Sequence, residues 1–493
     1  MAFIMLGPWQ THADYREFVI SRLKNYRDNP LSPTHEFFSI ILKLHIFDLD
    51  PLKDIIGGRY SRTGRPAVYQ PEIMRILILM QYLKKPVCKW ISTLNSNFIL
   101  RTICGLTKKN IPNISSLYAF IYRITGKERI IKVKIFKRRP KFKLKKGEKL
   151  PPKHPNITRR IADKLSIGRR FRDPLAESIN SILALAVKQS YANGLIDQHV
   201  NISGDGTCIE TGASPYGKKI CGCKCNGVHN CDCPRSFSDP NAYWSWDSHN
   251  ERPFYGYTGY FLSAYDKLHK VDLPLYLRIV DARRHDSVSA LVSLAEFYDR
   301  YPQLCIDTFI SDSASDNQAT YDLLEEWRID AVIALGKPIS RKGKFPVPID
   351  YADGTPICLS GFRMVYCGEG LKRPRCKWRC PRVMGKTEGG TECAGCSNSP
   401  YGRTVYTKPS WDSRIFCNIP RGTDSWKKLF DSRTASERVN NRILNDYGVG
   451  STRRWSKNRI AFITLMAAIN IHLDAQIKVQ ISEYYAKQSA SAV

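Results

Sequence analysis

Three acids sit in local sequences suited to chemistry. Asp205 lies within Asn201-Ile-Ser-Gly-Asp-Gly-Thr-Cys-Ile, a predicted strand with glycine on both sides of the carboxylate. Glycine lacks the bulk that would keep another backbone or a phosphate away from that acid. Asp312 ends a second predicted strand, Thr308-Phe-Ile-Ser, just ahead of a helix, where α/β folds commonly place their sites. Glu437 falls in the helical run Ser432-Arg-Thr-Ala-Ser-Glu-Arg-Val-Asn-Asn-Arg, with Arg433 one turn earlier on the same face. Taken singly each acid is weak evidence, because an Asp near a strand end is commonly a turn or cap. Asp307 and Asp316 compete with Asp312 on position alone. As a set, three hard oxygen ligands suit a pair of Mg²⁺ or Mn²⁺ ions. Such a pair activates the attacking oxygen and stabilises the leaving one at a phosphodiester.

The sixteen cysteines form two further groups. Cys376-x3-Cys380-x12-Cys393-x2-Cys396 is near the spacing of a four-thiolate ribbon, and a structural Zn²⁺ is expected there. Cys358, Cys367 and Cys417 are the available substitutes. Cys221-x-Cys223-x-Cys225-x5-Cys231-x-Cys233 has Cys-x-Cys steps less like a standard ribbon. Each group offers four or more thiols, enough to close a tetrahedral site, so zinc in either is read as structural rather than catalytic. His285-Asp286 reads as part of a strand-to-helix loop, and Trp244 and Trp246 as packing residues.

The elements that must position these residues are legible in the periodicity. Residues 1 to about 125 are predicted helical, including the dense apolar run from Pro71 to Leu83 and a helix over Ser115–Ile124 capped by Asn113 or Ser115. From Pro174 a long helix leads into strands, then strand–helix alternation through Leu335, the pattern of a mixed α/β sheet. Residues 337 to about 425 are Gly-, Pro- and Cys-rich and read as a β insertion, and helices return to the end. The domain plan is therefore 1–125 helical and DNA-binding, 126–172 basic linker, 173–336 first part of the core, 337–425 insertion, and 426–493 closing helices.

Charge narrows the partners. The formal net charge is +31, and 43% hydrophobic residues exclude wholesale disorder. Between Gly126 and Arg172 nineteen Lys and Arg face three acids, a density suited to tracking phosphates. Arg138, Arg139, Lys145 and Lys146 stand at its centre. The apolar run Ile460–Leu473 holds Asn470 and His472 and is shorter than a bilayer span, so a buried core helix is expected rather than a membrane segment. A reducing cytoplasm fits the cysteine usage.

The chain resembles bacterial insertion-sequence transposases of the DDE, RNase H-like superfamily, in the group with a β-rich insertion between the second and third acids. The resemblance rests on Gly64-Arg-Pro, Asn97-Phe-Ile-Leu-Arg and Ser115-Ser-Leu-Tyr-Ala-Phe in the helical region. In the core it rests on Gly204-Asp-Gly-Thr, Tyr255-Gly-Tyr-Thr-Gly-Tyr, Ile310-Ser-Asp-Ser-Ala-Ser-Asp-Asn and Phe430-Asp-Ser-Arg-Thr-Ala-Ser-Glu-Arg-Val-Asn-Asn-Arg. It implies an RNase H-like fold, with Asp205, Asp312 and Glu437 holding Mg²⁺ or Mn²⁺ and Arg433 contacting DNA near the cleaved bond. It implies cut-and-paste transposition of double-stranded DNA by a dimer or larger synaptic complex in a bacterial, nucleoid-associated setting. The group's signature helix starts with an aromatic, usually Tyr, and ends with Lys; here Phe430 and Leu444 occupy those positions. Arg442 and Lys457 are the candidates to replace that lysine at phosphate. Two other readings compete: a non-catalytic DNA-binding or regulatory descendant of a transposase, and a nuclease of the same fold that cuts without joining.

Overall fold

The computed structural model describes residues 6–61, 63–126, 131–135, 157–248, 250–336, 345–369, 375–387, 397, 399–451 and 456–491, the last from 483 as backbone only. Its first part is helical: α1 (His12–Leu23), α2 (Phe38–His45), α3 (Leu52–Gly57), α4 (Gln70–Tyr82), α5 (Val87–Ser96), α6 (Phe98–Ile103) and α7 (Ile114–Thr125). The dense apolar run is α4, buried along nearly its whole length. Asn113 caps α7, accepting from the Ser116 amide at 2.7 Å.

The basic segment is not all linker. It contributes a short strand, β1 (Val133–Lys134), and α8 (Ile157–Ser166). Two of its arginines are tied to the core, Arg159 to Asp322 and Arg170 to Asp299, each at 2.5 Å. Next comes α9 (Pro174–Ala192), whose first amides, of Leu175 and Ala176, donate to the Asp173 carboxylate.

The central sheet is built from β2 (His199–Glu210), β6 (Arg252–Asp266), β7 (Val271–Asp281), β8 (Cys305–Ser311) and β9 (Asp330–Ile333). Between β2 and β6 come β3 (Lys218–Lys219), β4 (Arg235–Ser236) and β5 (Tyr243–Asp247), the last pairing with the start of β6. The order is β7-β6-β2-β8-β9, with β6 antiparallel to β2 and β7, β8 parallel to β2 and β9 parallel to β8. Three antiparallel strands followed by two parallel ones reached through helices is the RNase H-like arrangement. The crossover helices are α10 (Asp286–Arg300) and α11 (Gln318–Glu326), which with α8 share a cluster of Ala162, Leu165, Leu291, Ala295, Ala319 and Leu323.

The insertion carries a separate antiparallel sheet, β10 (Val365–Glu369), β11 (Cys376–Arg379) and β12 (Thr404–Thr407), with its own small core around Trp378. The chain closes with α12 (Asp424–Asp431), α13 (Thr434–Asn441), a π-helical turn over Arg442–Asp446, and α14 (Lys457–Ser491).

One hydrophobic core runs from α1 to α14, so the N-terminal helices are packed onto the helices of the central sheet rather than set apart. Helix α14 is long and apolar enough to cross a membrane by composition, yet that stretch is almost entirely buried inside the protein. Its polar residues have partners there. Asn470 donates to the carbonyl oxygens of Ile78 and Met466, and His472 bridges Ser190 and the Pro274 carbonyl. Burial holds His472 down at about 4, so it is neutral, with Nε2–H donating to Pro274 and Nδ1 accepting from Ser190.

The buried ammonium of Lys43 joins the two ends of the chain, 2.6 Å from Asp474 and 3.1 Å from Asn470 Oδ1. Asp474 also accepts from Arg442 at 2.7 Å and from the Tyr447 hydroxyl. Lys43→Met therefore leaves Asp474 compensated and is expected to cost about 1–3 kcal/mol in a urea melt.

Candidate active site

The parallel ladder between β2 and β8 ends at Ser203–Ile310. Extending that register by two residues sets Asp205 level with Asp312. Beyond it β2 keeps only its β6 partner, so a notch opens along its other edge. Asp312 leaves β8 there and caps the next turn, its Oδ1 accepting from the Ala314 amide at 3.0 Å. Successive β2 residues face opposite sides of the sheet. Asp205 faces α13, its Oδ2 accepting from Asn440 Nδ2 at 2.8 Å, and its Oδ1 accepts from the Gly206 amide at 2.9 Å. Gly206 faces α10.

That second face holds a residue the sequence reading assigned to a loop. His285 caps α10, accepting from the Ser287 amide, and Asp286 opens the helix. The Asp286 carboxylate lies against Gly206 so closely that a Cβ there would come within 2.6 Å of its oxygen. The glycine beside Asp205 thus admits a carboxylate, not a backbone. What could have revealed Asp286 was its position at the start of a helix that follows a core strand, β7, after a short loop.

Three carboxylates are near enough to feel one another's charge, Asp205 on one face of the sheet, Asp286 on the other and Asp312 at the strand end. Burial first, then the charges of Asp312 and Asp286, push the Asp205 carboxyl up to about 7, while Arg433 pulls the other way. Burial and Asp312 push Asp286 up to about 6. Asp312 is therefore the neighbour common to both. The competing acids are committed elsewhere. Asp316 is held by Arg414 through two contacts of 2.7 Å, and Asp307 pairs with His199 at 2.8 Å. Like charges crowded out of water in this way are what a divalent cation relieves. One buried acceptor, Asn440 Oδ1, also lacks a partner beside Asp205.

Glu437 lies one turn before Asn440 on α13, but half its side chain is exposed and Arg433 Nη2 contacts its Oε1 at 2.5 Å. Phe430 stacks on Trp426 at 4.7 Å, which gives the aromatic start of this helix a packing role. Leu444 packs against the main core from the π-helical turn, so no phosphate contact is available at that position. The proposed substitutes are engaged inside the protein: Arg442 with Asp474 at 2.7 Å, Lys457 with Asp173 at 3.1 Å. Arg442 thus reaches across to α14, and Lys457, at the start of α14, reaches the cap of α9. Of the DNA-contact residues read from the sequence on described helices, Arg433 alone adjoins the carboxylates. Arg138, Arg139, Lys145 and Lys146 lie outside the described residues.

Of the two cysteine groups, only one lies wholly within the described residues. Cys376 and Cys380 are buried on and beside β11, with the Cys376 thiol 3.5 Å from the Asn418 carbonyl oxygen. Cys393 and Cys396 lie outside the described residues. Among the described residues it is Cys221, Cys223, Cys231 and Cys233 that come together. No three carboxylates among the described residues converge as tightly as these thiols.

Fold and site together define an RNase H-like protein with acids gathered at the end of its parallel strands. Residues 29–123, from just before α2 through most of α7, match the family model described as a transposase domain (DUF772). Among solved structures the chain is similar to the Mos1 transposase paired-end complex with left transposon end. That similarity has 12% identity over 54% of this chain and 77% of the other, at a TM-score of 0.14. A pre-cleavage Mos1 transpososome is similar at 11% identity over 54% and 78% of the two chains, at a TM-score of 0.13. No curated protein matches the sequence. The fold assignment rests on strand order and register.

Proposed function

We propose that this protein is a DDE-type DNA transposase that cleaves the ends of its element and joins the freed 3′-hydroxyl to target DNA. The observation that carries the reading is the half-buried group of carboxylates Asp205, Asp312 and Asp286 on an RNase H-like sheet, in a chain whose residues 29–123 match a transposase-domain model. Asp205 and Asp312, with Glu437 drawn in from α13, are the residues to hold Mg²⁺ or Mn²⁺, and Asp286 backs them from the other face. Such ions supply an activated oxygen nucleophile and a counter-charge for the leaving oxygen. Asn440 fixes the Asp205 carboxylate through its amide. Arg433 exchanges Glu437 for a DNA phosphate, which frees the acid as substrate arrives. No covalent enzyme intermediate is needed, so no Ser or Tyr nucleophile is required. Double-stranded DNA is the substrate, and pairing of two ends implies a dimer or larger complex.

The test uses the full chain, Mg²⁺, and linear DNA carrying the sequences that flank its own gene. Cleavage exposing 3′-hydroxyls at the element ends, followed by their transfer into a plasmid, is expected. Binding without metal-dependent cleavage would instead support the regulatory reading, and cleavage without transfer the nuclease.

A further inference from the structure

Away from the notch, Cys221, Cys223, Cys231 and Cys233 have their sulfurs within 4.8 Å of one another, with Cys221–Cys231 and Cys223–Cys233 at 3.5 Å. A tetrahedral zinc site with bonds of about 2.3 Å has sulfur–sulfur edges of about 3.8 Å, so the four already approximate that shape. A disulfide needs about 2.05 Å. The local fold explains the convergence. Strands β3 and β4 pair at the base of the loop, Lys218 with Ser236 and Lys219 with Arg235. The chain reverses through a 3-10 turn at Gly222–Lys224, with Gly227 at φ +74° and the Val228 amide donating to the Cys223 carbonyl at 2.9 Å. Cys225, in the same loop, is exposed and outside the set.

This hairpin pairs with residues 132–134 of the basic segment. The small sheet has the order β1-β4-β3, with Val133 opposite Ser236 and Lys134 opposite Arg235. The Phe237 amide donates to the Lys132 carbonyl at 2.8 Å, and the Lys134 ammonium reaches the Pro240 carbonyl. Yet each strand has two residues, and Lys132, Val133 and Lys218 are exposed. Pairing this short does not sustain itself in water, and small loops of this kind draw their stability from a bound metal.

We propose that the four thiolates bind one structural Zn²⁺, and that this ion secures the β3–β4 hairpin on which β1 docks. It thereby sets where Lys132, Lys134, Lys218, Lys219 and Lys224 meet DNA phosphates. The DNA half rests on the function proposed above; the metal half does not.

The full chain, purified without chelator, is assayed for zinc by elemental analysis. Cys223→Ser/Cys231→Ser should lose one equivalent relative to wild type, and Cys225→Ser none. Cobalt exchange should give thiolate charge-transfer and tetrahedral d–d bands that the double variant lacks. In wild type the four thiols should resist alkylation until chelator is added, while Cys225 reacts throughout. Zinc removal should also speed tryptic cleavage after Lys132 and Lys134, a readout that needs no DNA. The slope of log K for DNA against log salt should become shallower by about two to four, at about 0.9 for each phosphate no longer neutralised. Unchanged zinc content in the double variant, or an intact mass showing two disulfides, overturns the metal site. Unchanged tryptic cleavage and salt slope after zinc loss overturn the docking role. A wild-type chain that binds zinc but no DNA refutes the function proposed above and leaves the metal site standing.

Discussion

Asp205→Asn is expected to lower metal-dependent DNA cleavage by at least about 10³-fold while making the metal-free protein more stable at pH 8. The two effects share one cause. Asparagine matches the shape of the aspartate and keeps an oxygen to accept from Asn440 or Gly206, so the packing at β2 survives. What disappears is a charge that burial, Asp312 and Asp286 all oppose, pushing the carboxyl up to about 7. Because the folded value lies above the unfolded one of about 3.9, the native state binds the extra proton between those limits. Wild-type stability should therefore fall as pH rises through that window, and the full penalty applies above it. Removing the charge should recover on the order of 2 kcal/mol at pH 8, read by thermal or urea unfolding without metal. The same proton competes with a divalent cation, so wild-type metal affinity should drop about tenfold per pH unit below 7. Cleavage within tenfold of wild type, or a variant destabilised at pH 8, would exclude Asp205 from the site.

How much of this was legible before the structure depends on the kind of signal. Local chemistry transmitted well. Glycine on both sides of Asp205, the Asn113 cap and the dense run of α4 are each encoded within a few residues, and the structure shows them in place. Long-range partnership did not transmit. Nothing near Arg442 or Lys457 in sequence announces Asp474 or Asp173, which come from other helices, so both looked available for DNA. The thiols show the same limit. The Cys-x-Cys steps looked unlike a ribbon, yet hairpin pairing at Lys218 and Lys219, invisible in spacing, brings those thiols together. Asp286 is the instructive case: its dipeptide was ambiguous alone, and only the bare Cα of Gly206, eighty residues earlier, gives it meaning.

The contrast between Asp286 and Glu437 yields the second large effect. Asp286 is already beside Gly206, half-buried and raised to about 6 by its surroundings, whereas Glu437 is half exposed and clasped by Arg433. A residue held in place beforehand contributes to the affinity of the resting site. A residue that must be released contributes once substrate has displaced its clasp. Asp286→Asn should therefore raise the metal concentration needed for half-maximal cleavage by about 10–100-fold, with excess Mn²⁺ restoring most of the rate. Glu437→Gln should lower the maximal rate by about 10²–10³-fold with no such rescue, because the missing ligand is needed in the reacting complex. Arg433→Lys separates the clasp from the phosphate contact, since lysine keeps the charge but not the guanidinium's two-pronged geometry. It should weaken DNA binding while leaving the metal requirement of the free protein unchanged, measured by calorimetric titration of Mn²⁺. An Asp286→Asn curve superimposable on wild type would confine that carboxylate to a structural contact with Gly206. A Glu437→Gln defect fully reversed by metal would place Glu437 in the resting site and remove the release step from the mechanism.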